Sequence, residues 1–228
     1  MNPTQDTRNT RNTRHDQWPV APGEHKQGPG AVFADAVVED GAHVGYQSAR
    51  GAQGSLVLGD DAHLRSGTIV YAASTIGAAF TTGHNVVVRE ECEIGDRVSV
   101  WSNTVIDYGC QIGNEVKIHS NCYVAQFTVI EDGAFLAPGV SIANDLYPGD
   151  AASAQAMAGP HIGAGAQIGA GSTLLPYVKI GAGALIGAGS VVTKDISAGM
   201  VAVGNPARCT KRVSELTPIH MRTEEART

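Results

Sequence analysis

Aromatic side chains are scarce in this chain. Phe, Trp and Tyr make up 5% of 228 residues, and Asp, Glu, Lys and Arg only 17%. Long apolar runs are missing too. No stretch approaches the roughly 18 consecutive apolar residues that a membrane-spanning helix needs. Residues Met1–Gln27 are polar and contain no apolar segment of a secretory signal, so a cytoplasmic location is expected. There is no basic excess. The net charge of −6 and pI near 5.7 speak against a nucleic-acid partner, which would require a basic face. The four cysteines, Cys92, Cys110, Cys122 and Cys209, form no CxxC pair and show no metal-ligand spacing. They are expected to be small buried thiols in a reducing compartment, with no metal site.

Glycine and aliphatic residues fill the space that the aromatics leave. Glycine occurs 28 times, and Val, Ile and Leu together occupy 46 positions, a composition that favours turns and narrow strands. Their spacing is regular. An aliphatic residue recurs at every sixth position from Leu58 through Ile142, and again from Ile162 through Val192. Of these 21 anchors only Thr82 is not Val, Ile or Leu, against about four aliphatics expected from composition alone. Glycine follows the anchor at Gly59, Gly77, Gly95 and Gly113, and again at Gly163, Gly169, Gly181 and Gly187. Four residues after an anchor stands a small or β-branched side chain, as at Val98, Thr104, Cys110 and Val116.

A period of six cannot be helical, because the apolar face of a helix recurs at 3.6. It predicts a short strand and a corner, three of which close a triangular coil of eighteen residues. Inward anchors then stack about 4.8 Å apart, as neighbouring parallel strands do. The fold class is therefore all-β, a parallel β-helix of hexapeptide repeats. A less regular entry coil is expected at Val32, Val38 and Val44. The repeat-free stretch 145–160 reads as an extruded loop. Residues 1–30 have the composition of a flexible polar arm, residues 31–206 form the β-helix, and 207–228 are expected to give a short C-terminal helix and tail.

Residues eighteen apart are neighbours along the axis, so columns can be read from the sequence. Asn85, Asn103 and Asn121 share one column and suggest an asparagine ladder at left-handed turn positions. His84 lies with Ser102 and Ser120, and His119 with Gly83 and Trp101. Glu90, Tyr108, Gln126 and Asn144 form an unusually polar file, flanked by Arg89 and Asp107, and the file ends where the loop leaves the coil. Two readings are open. The file is either a solvated face with an Arg89–Asp107 ion pair of little value, or the wall of a substrate groove with the loop as its lid.

The repeats resemble those of the hexapeptide-repeat, left-handed β-helix acyltransferase superfamily over residues 32–210. The coil hand is taken from that resemblance, since the usual crossover rule predicts a right-handed turn. The runs TGHNVVVREECEIGDRVSVWSNTVI, IGNEVKIHSNCYV and APGVSIANDLYP are similar to those of nucleotide-sugar N-acetyltransferases. The ending GAGSVVTKDISAGMVAVGNPARCTKRV resembles the superfamily's acyl-CoA end. The resemblance implies a homotrimer with active sites between subunits, acetyl-CoA as acyl donor and the amino group of a UDP- or dTDP-linked sugar as acceptor.

It also implies roles for individual residues. Asn144, Asp145, His84 and His119 are the catalytic candidates. Arg89, Glu90, Tyr108, Gln126 and Tyr147 are candidates for the acceptor site. Gly163, Gly181, Lys194, Gly204, Asn205, Pro206 and Arg208 are candidates for binding the acyl-CoA. Many members place a histidine where the loop leaves the helix. Here Asn144 and Asp145 stand there instead, which favours an amine over a hydroxyl acceptor. Three alternatives remain: O-acetylation of a sugar or serine, a γ-type carbonic anhydrase, and a non-catalytic β-helix subunit. The γ-type anhydrase needs three zinc-bound imidazoles, and the position five after His119 is Val124.

Overall fold

A computed structural model describes residues 35–217, together with the backbone of the strands Lys26–Gln27 and Val32–Phe33. Two-residue strands alternate with four-residue corners and stack into three parallel sheets. Face A contains Val87–Val88, Val105–Ile106 and Tyr123–Val124, and face B contains Glu93–Ile94 and Gln111–Ile112. Face C contains Ser99–Val100 and Lys117–Ile118. Strand partners are offset by eighteen residues, as in Val88 with Ile106 and Ile94 with Ile112. The chain turns from A to B to C and back, giving about eight coils of a left-handed β-helix.

All 21 anchors are buried, Thr82 included at 6% exposure, and they form one continuous core with the small residues four places further on. This division of labour follows from the triangular section. The anchors fill the middle of the prism, and the narrow corners mostly take alanine, serine, threonine, cysteine or valine, with Phe80 and Ile196 as larger exceptions. No coil covers its own apolar edge, so each is stabilised by its neighbours.

The two kinds of corner glycine have different causes. Glycines directly after an anchor allow close approach: a Cβ on Gly181 would lie 2.3 Å from the Ala198 nitrogen of the next coil. The left-handed conformation is adopted two residues later in the corner, at Asn85, Asn103 and Asn121 with φ of 57°, 59° and 61°. Asn85 Nδ2 donates to Asn103 Oδ1 at 3.4 Å, one rung of the expected ladder.

Three expectations require correction. In the entry coil the residue paired with Leu58 is Phe33, not Val32, because the step to Val38 is one residue short of six. The described C-terminal segment is mainly strand: Arg208–Arg212 runs antiparallel to Met200–Val203, and only Val213–Glu215 makes a single 3-10 turn. Its alternative as a helix would leave the last edge of face C unpaired. Cys209 lies on this strand and is exposed, while Cys92, Cys110 and Cys122 are buried as expected. Of the arm at 1–30 only the strand Lys26–Gln27 is described, paired with His43–Val44 of face A, and the tail from 218 lies outside the described residues. Among the described residues no helix is long and apolar enough to cross a membrane.

Candidate functional site

The loop emerges at the corner between faces A and B, directly after Ile142, and carries one short helix, Ala151–Gln155. Asp150 caps that helix, accepting from Ser153 N at 2.8 Å. Asp145 braces the loop from the other side, accepting from Tyr147 N at 3.0 Å and from the Ser153 hydroxyl. Tyr177 on the next coil donates to Ala156 O and ties the loop to the scaffold. Tyr147 itself is 71% exposed at the tip.

The part of the polar file farther from the loop is buried, while Gln126 and Asn144 are half-buried. Glu90 is 0% exposed, Asp107 6% and Tyr108 8%, which excludes the solvated-face reading. Glu90 accepts from Arg89 Nε at 2.9 Å and Nη2 at 3.1 Å, and from Ser48 Oγ at 2.6 Å. Arg50 Nε lies 3.2 Å away and its guanidinium sits 3.5 Å above the Tyr108 ring. Burial would raise the Glu90 pKa, but the hydrogen bonds from Arg89 and Ser48 hold it below the usual value. A carboxylate removed from water persists as an anion only with such partners.

The network continues along the axis. Arg89 Nη1 is 3.5 Å from Asp107 Oδ1, and Asp107 Oδ2 accepts from Tyr123 OH at 2.8 Å and from Gln126 Nε2. Burial, then the bond to Asp107, pushes the Tyr123 phenol up to about 12. Gln126 Oε1 in turn accepts from Asn144 Nδ2 at 2.6 Å. Asn144 Nδ2 also lies 3.6 Å from Met157 Sδ of the loop. Asn144 Oδ1 takes no hydrogen bond from the described residues and remains an acceptor at the loop mouth.

His84 and His119 are elsewhere, at the corner between faces C and A. His84 Nδ1 is 2.9 Å from Ser66 Oγ. His119 stacks on Trp101, centroids 4.3 Å apart and planes 4° apart, with Phe135 5.0 Å on its other side. Within one chain the breadth of face A separates both histidines from Asn144 and Asp145. Among the described residues no group of three or more His, Cys, Asp or Glu is placed to hold a metal ion.

The residues assigned to acyl-CoA occupy the last coils but three different corners. Gly163 and Gly181 follow face B and Lys194 follows face A. Residues Gly204, Asn205 and Pro206 close the C–A corner, where Gly204 N donates to Ser190 Oγ at 3.1 Å. Arg208, Lys211 and Arg212 bring three exposed cations to this end of an otherwise acidic chain. These cations suit a polyphosphate donor.

Sequence reasoning missed Ser48, Arg50, Ser153 and Met157. All four lie in segments without the six-residue period, so no column assigned them a neighbour. Tyr123 was hidden for another reason: it is the outward residue before an anchor, a position that usually faces solvent.

A β-helix of six-residue units with a polar, loop-covered corner defines a hexapeptide-repeat protein. The sequence pattern of the family described as bacterial transferase hexapeptide (six repeats) matches residues 73–107, 109–144 and 159–194. Over these residues the chain carries the repeats of the bacterial transferase hexapeptide family. Among solved structures it is similar to UDP-N-acetylglucosamine acyltransferase from Campylobacter jejuni, with 17% identity, coverage of 85% of this chain and 81% of that one, and a TM-score of 0.50. It is similar to the polySia-specific acetyltransferase NeuO, with 17% identity, coverage of 89% and 93%, and a TM-score of 0.48. For UDP-N-acetylglucosamine O-acyltransferase from Moraxella catarrhalis RH4 the identity is 21%, the coverage 86% and 77%, and the TM-score 0.40. At these identities the shared property is the fold. No curated protein sequence matches significantly.

Proposed function

We propose that the protein transfers an acyl group, in the first instance acetyl from acetyl-CoA, to the amino group of a UDP- or dTDP-linked amino sugar. The observation that carries this reading is Asn144: its amide N–H is held by Gln126, and its carbonyl oxygen is left to accept from a substrate N–H. A neutral amine is already a nucleophile and needs alignment more than deprotonation. Its nitrogen attacks the thioester carbonyl carbon, the C–N bond forms, and the C–S bond breaks as thiolate leaves. The extra proton on nitrogen passes to the departing thiolate or to solvent. Alignment of the pair supplies much of the rate, and a backbone N–H at a coil corner is suited to hold the oxyanion.

A homotrimer completes the site in this reading. The adjacent outward residues Ile69, Val87 and Val105 leave a partly exposed apolar patch along face A, suited to a neighbouring subunit. Face A separates the two corners of one chain, so only a second subunit brings His84 or His119 to the Asn144 of the first. The deciding experiment is a thiol-release assay with acetyl-CoA against UDP- and dTDP-amino sugars and their hydroxyl counterparts. Turnover with the amines alone supports the proposal. Turnover with the hydroxyl sugars alone would convert it to O-acylation, and inactivity with the whole panel would reject it.

A further inference from the structure

At the corner between faces C and A, one glycine interrupts the run of large side chains that extends from Arg65 to His119. Reading along the axis, the residues directly after the face C anchors are Arg65, Gly83, Trp101 and His119. His119 covers one face of the Trp101 indole. On the other side the column holds Gly83, which has no side chain, and the next side chain is Arg65. A Cβ on Gly83 would lie 2.4 Å from Ser102 N, so the close coil contact enforces glycine and keeps the gap open. Arg65 and Trp101 are two coils apart, about 9.5 Å along the axis, which is room for one planar ring in contact with both. A groove of about 370 Å³ lies at this place, lined by Arg65, Gly83, Trp101, Thr81, Ser99 and His84 among others.

The walls suit a heteroaromatic base. Trp101 is 37% exposed although it is stacked, and a second ring on its open face would remove that apolar surface from water. A guanidinium stacks on the opposite face of such a ring. Arg65 is steered by Glu39, 3.4 Å away, which also accepts from His63 at 3.3 Å and from Ser66 N. At the edge, Thr81 Oγ1 donates to Ser99 Oγ at 3.0 Å, and hydroxyls can both donate to and accept from an imide edge. Arg65, His63 and His84 give the mouth of the groove donors for phosphate oxygens.

We infer that this gap is a binding slot for the base of a pyrimidine nucleoside diphosphate, sandwiched between Trp101 and Arg65. The choice of a pyrimidine over a purine rests on the nucleotide-sugar reading above; the slot itself rests on the geometry alone. A nucleotide held here on one subunit would direct its sugar along face A toward the Asn144 corner of a neighbour.

The chain has two tryptophans, Trp18 and Trp101, so in Trp18→Phe protein the indole emission reports on Trp101. Titration of the full-length protein with UDP or dTDP should quench that emission saturably. Calorimetry should show Trp101→Ala weakening the nucleotide roughly tenfold or more, the usual scale for losing a base-stacking partner. Trp101→Phe should stay within about threefold, and Arg65→Gln should weaken binding independently. Absence of quenching by UDP and dTDP, or unchanged affinity in Trp101→Ala, would overturn the slot. Tighter, Trp101-dependent binding of ADP or CoA would overturn the pyrimidine assignment. Failure of the functional reading looks different. Nucleotide binding at Trp101 without acyl transfer removes that reading and keeps the slot, and acylation of nucleotide sugars unaffected in Trp101→Ala does the reverse.

Discussion

Asn144 and Gln126 stand eighteen residues apart and share a 2.6 Å hydrogen bond across adjacent coils. Gln126 has its other side-chain atom on the buried carboxylate of Asp107. The orientation of the amide at the loop mouth is therefore set one and two coils below it, by groups that never reach the loop.

The first prediction follows from that chain of contacts. Asn144→Ala is expected to lower kcat/KM about 10²-fold with its amine substrate, in the range for losing one positioned polar group. Gln126→Leu, which keeps the volume but frees the Asn144 amide, should cost about tenfold, mostly in kcat, with circular dichroism and oligomeric state unchanged. Steady-state kinetics on both variants checks this, and equal activity of Gln126→Leu and wild type would remove the positioning role.

Asp145 is engaged by Ser153 and Tyr147 within its own loop. Asp145→Ala should consequently loosen residues 145–160, seen as faster proteolytic nicking there and a raised KM. Asp145→Asn should retain turnover within about threefold. A loss of 10² or more in Asp145→Asn would instead mark the carboxylate as the proton acceptor.

Two glycines separated by one residue should respond unequally to alanine. Gly181→Ala drives a Cβ against backbone of the next coil and is expected to cost about 3 kcal/mol by overpacking. Gly183 has φ +61° with open space beyond it, and alanines already occupy that conformation at Ala73 and Ala79. Gly183→Ala should cost only about 1–2 kcal/mol. Denaturant midpoints of the two variants provide the comparison.

The buried Glu90 carboxylate has a folded-state pKa below its ordinary value. Its contribution is thus fully present above the unfolded carboxylate pKa of about 4.3 and is lost as pH falls through the lowered folded value. Glu90→Gln, which leaves Arg89 and Arg50 partly unpaired, should destabilise by about 3 kcal/mol near neutrality. The gap between variant and wild type should close on acidification below pH 4. Thermal melts across pH 3–8 would test both parts.

Light scattering is expected to give a mass near three times 23.6 kDa. Val105→Glu, placed on the outward patch of face A, should yield monomers that have lost activity but keep the β-sheet spectrum. A fully active monomer would show that the corners of separate subunits need not meet.

The sequence alone determined the architecture, because a coil of eighteen residues repeats one physical requirement at each turn. An anchor such as Ile106 or Ile118 must fill the prism centre, a small residue such as Cys110 must fill the corner, and a glycine such as Gly95 must let coils touch. Columns spaced by eighteen also brought Glu90, Tyr108, Gln126 and Asn144 into one file. The tertiary structure decided what the period does not encode. It buried Glu90 and Tyr108, where Ser48 and Arg50 fold over them from an irregular segment, and it engaged Asp145 with Tyr147 and Ser153 of the loop. It turned residues 208–212 into a strand, since the free edge of face C offers hydrogen bonds that a helix would leave unmade. It also set His84 and His119 at a different corner from Asn144. The period fixes distance along the axis, whereas contact across the prism depends on which corner each residue occupies and on what packs against it from outside the repeat.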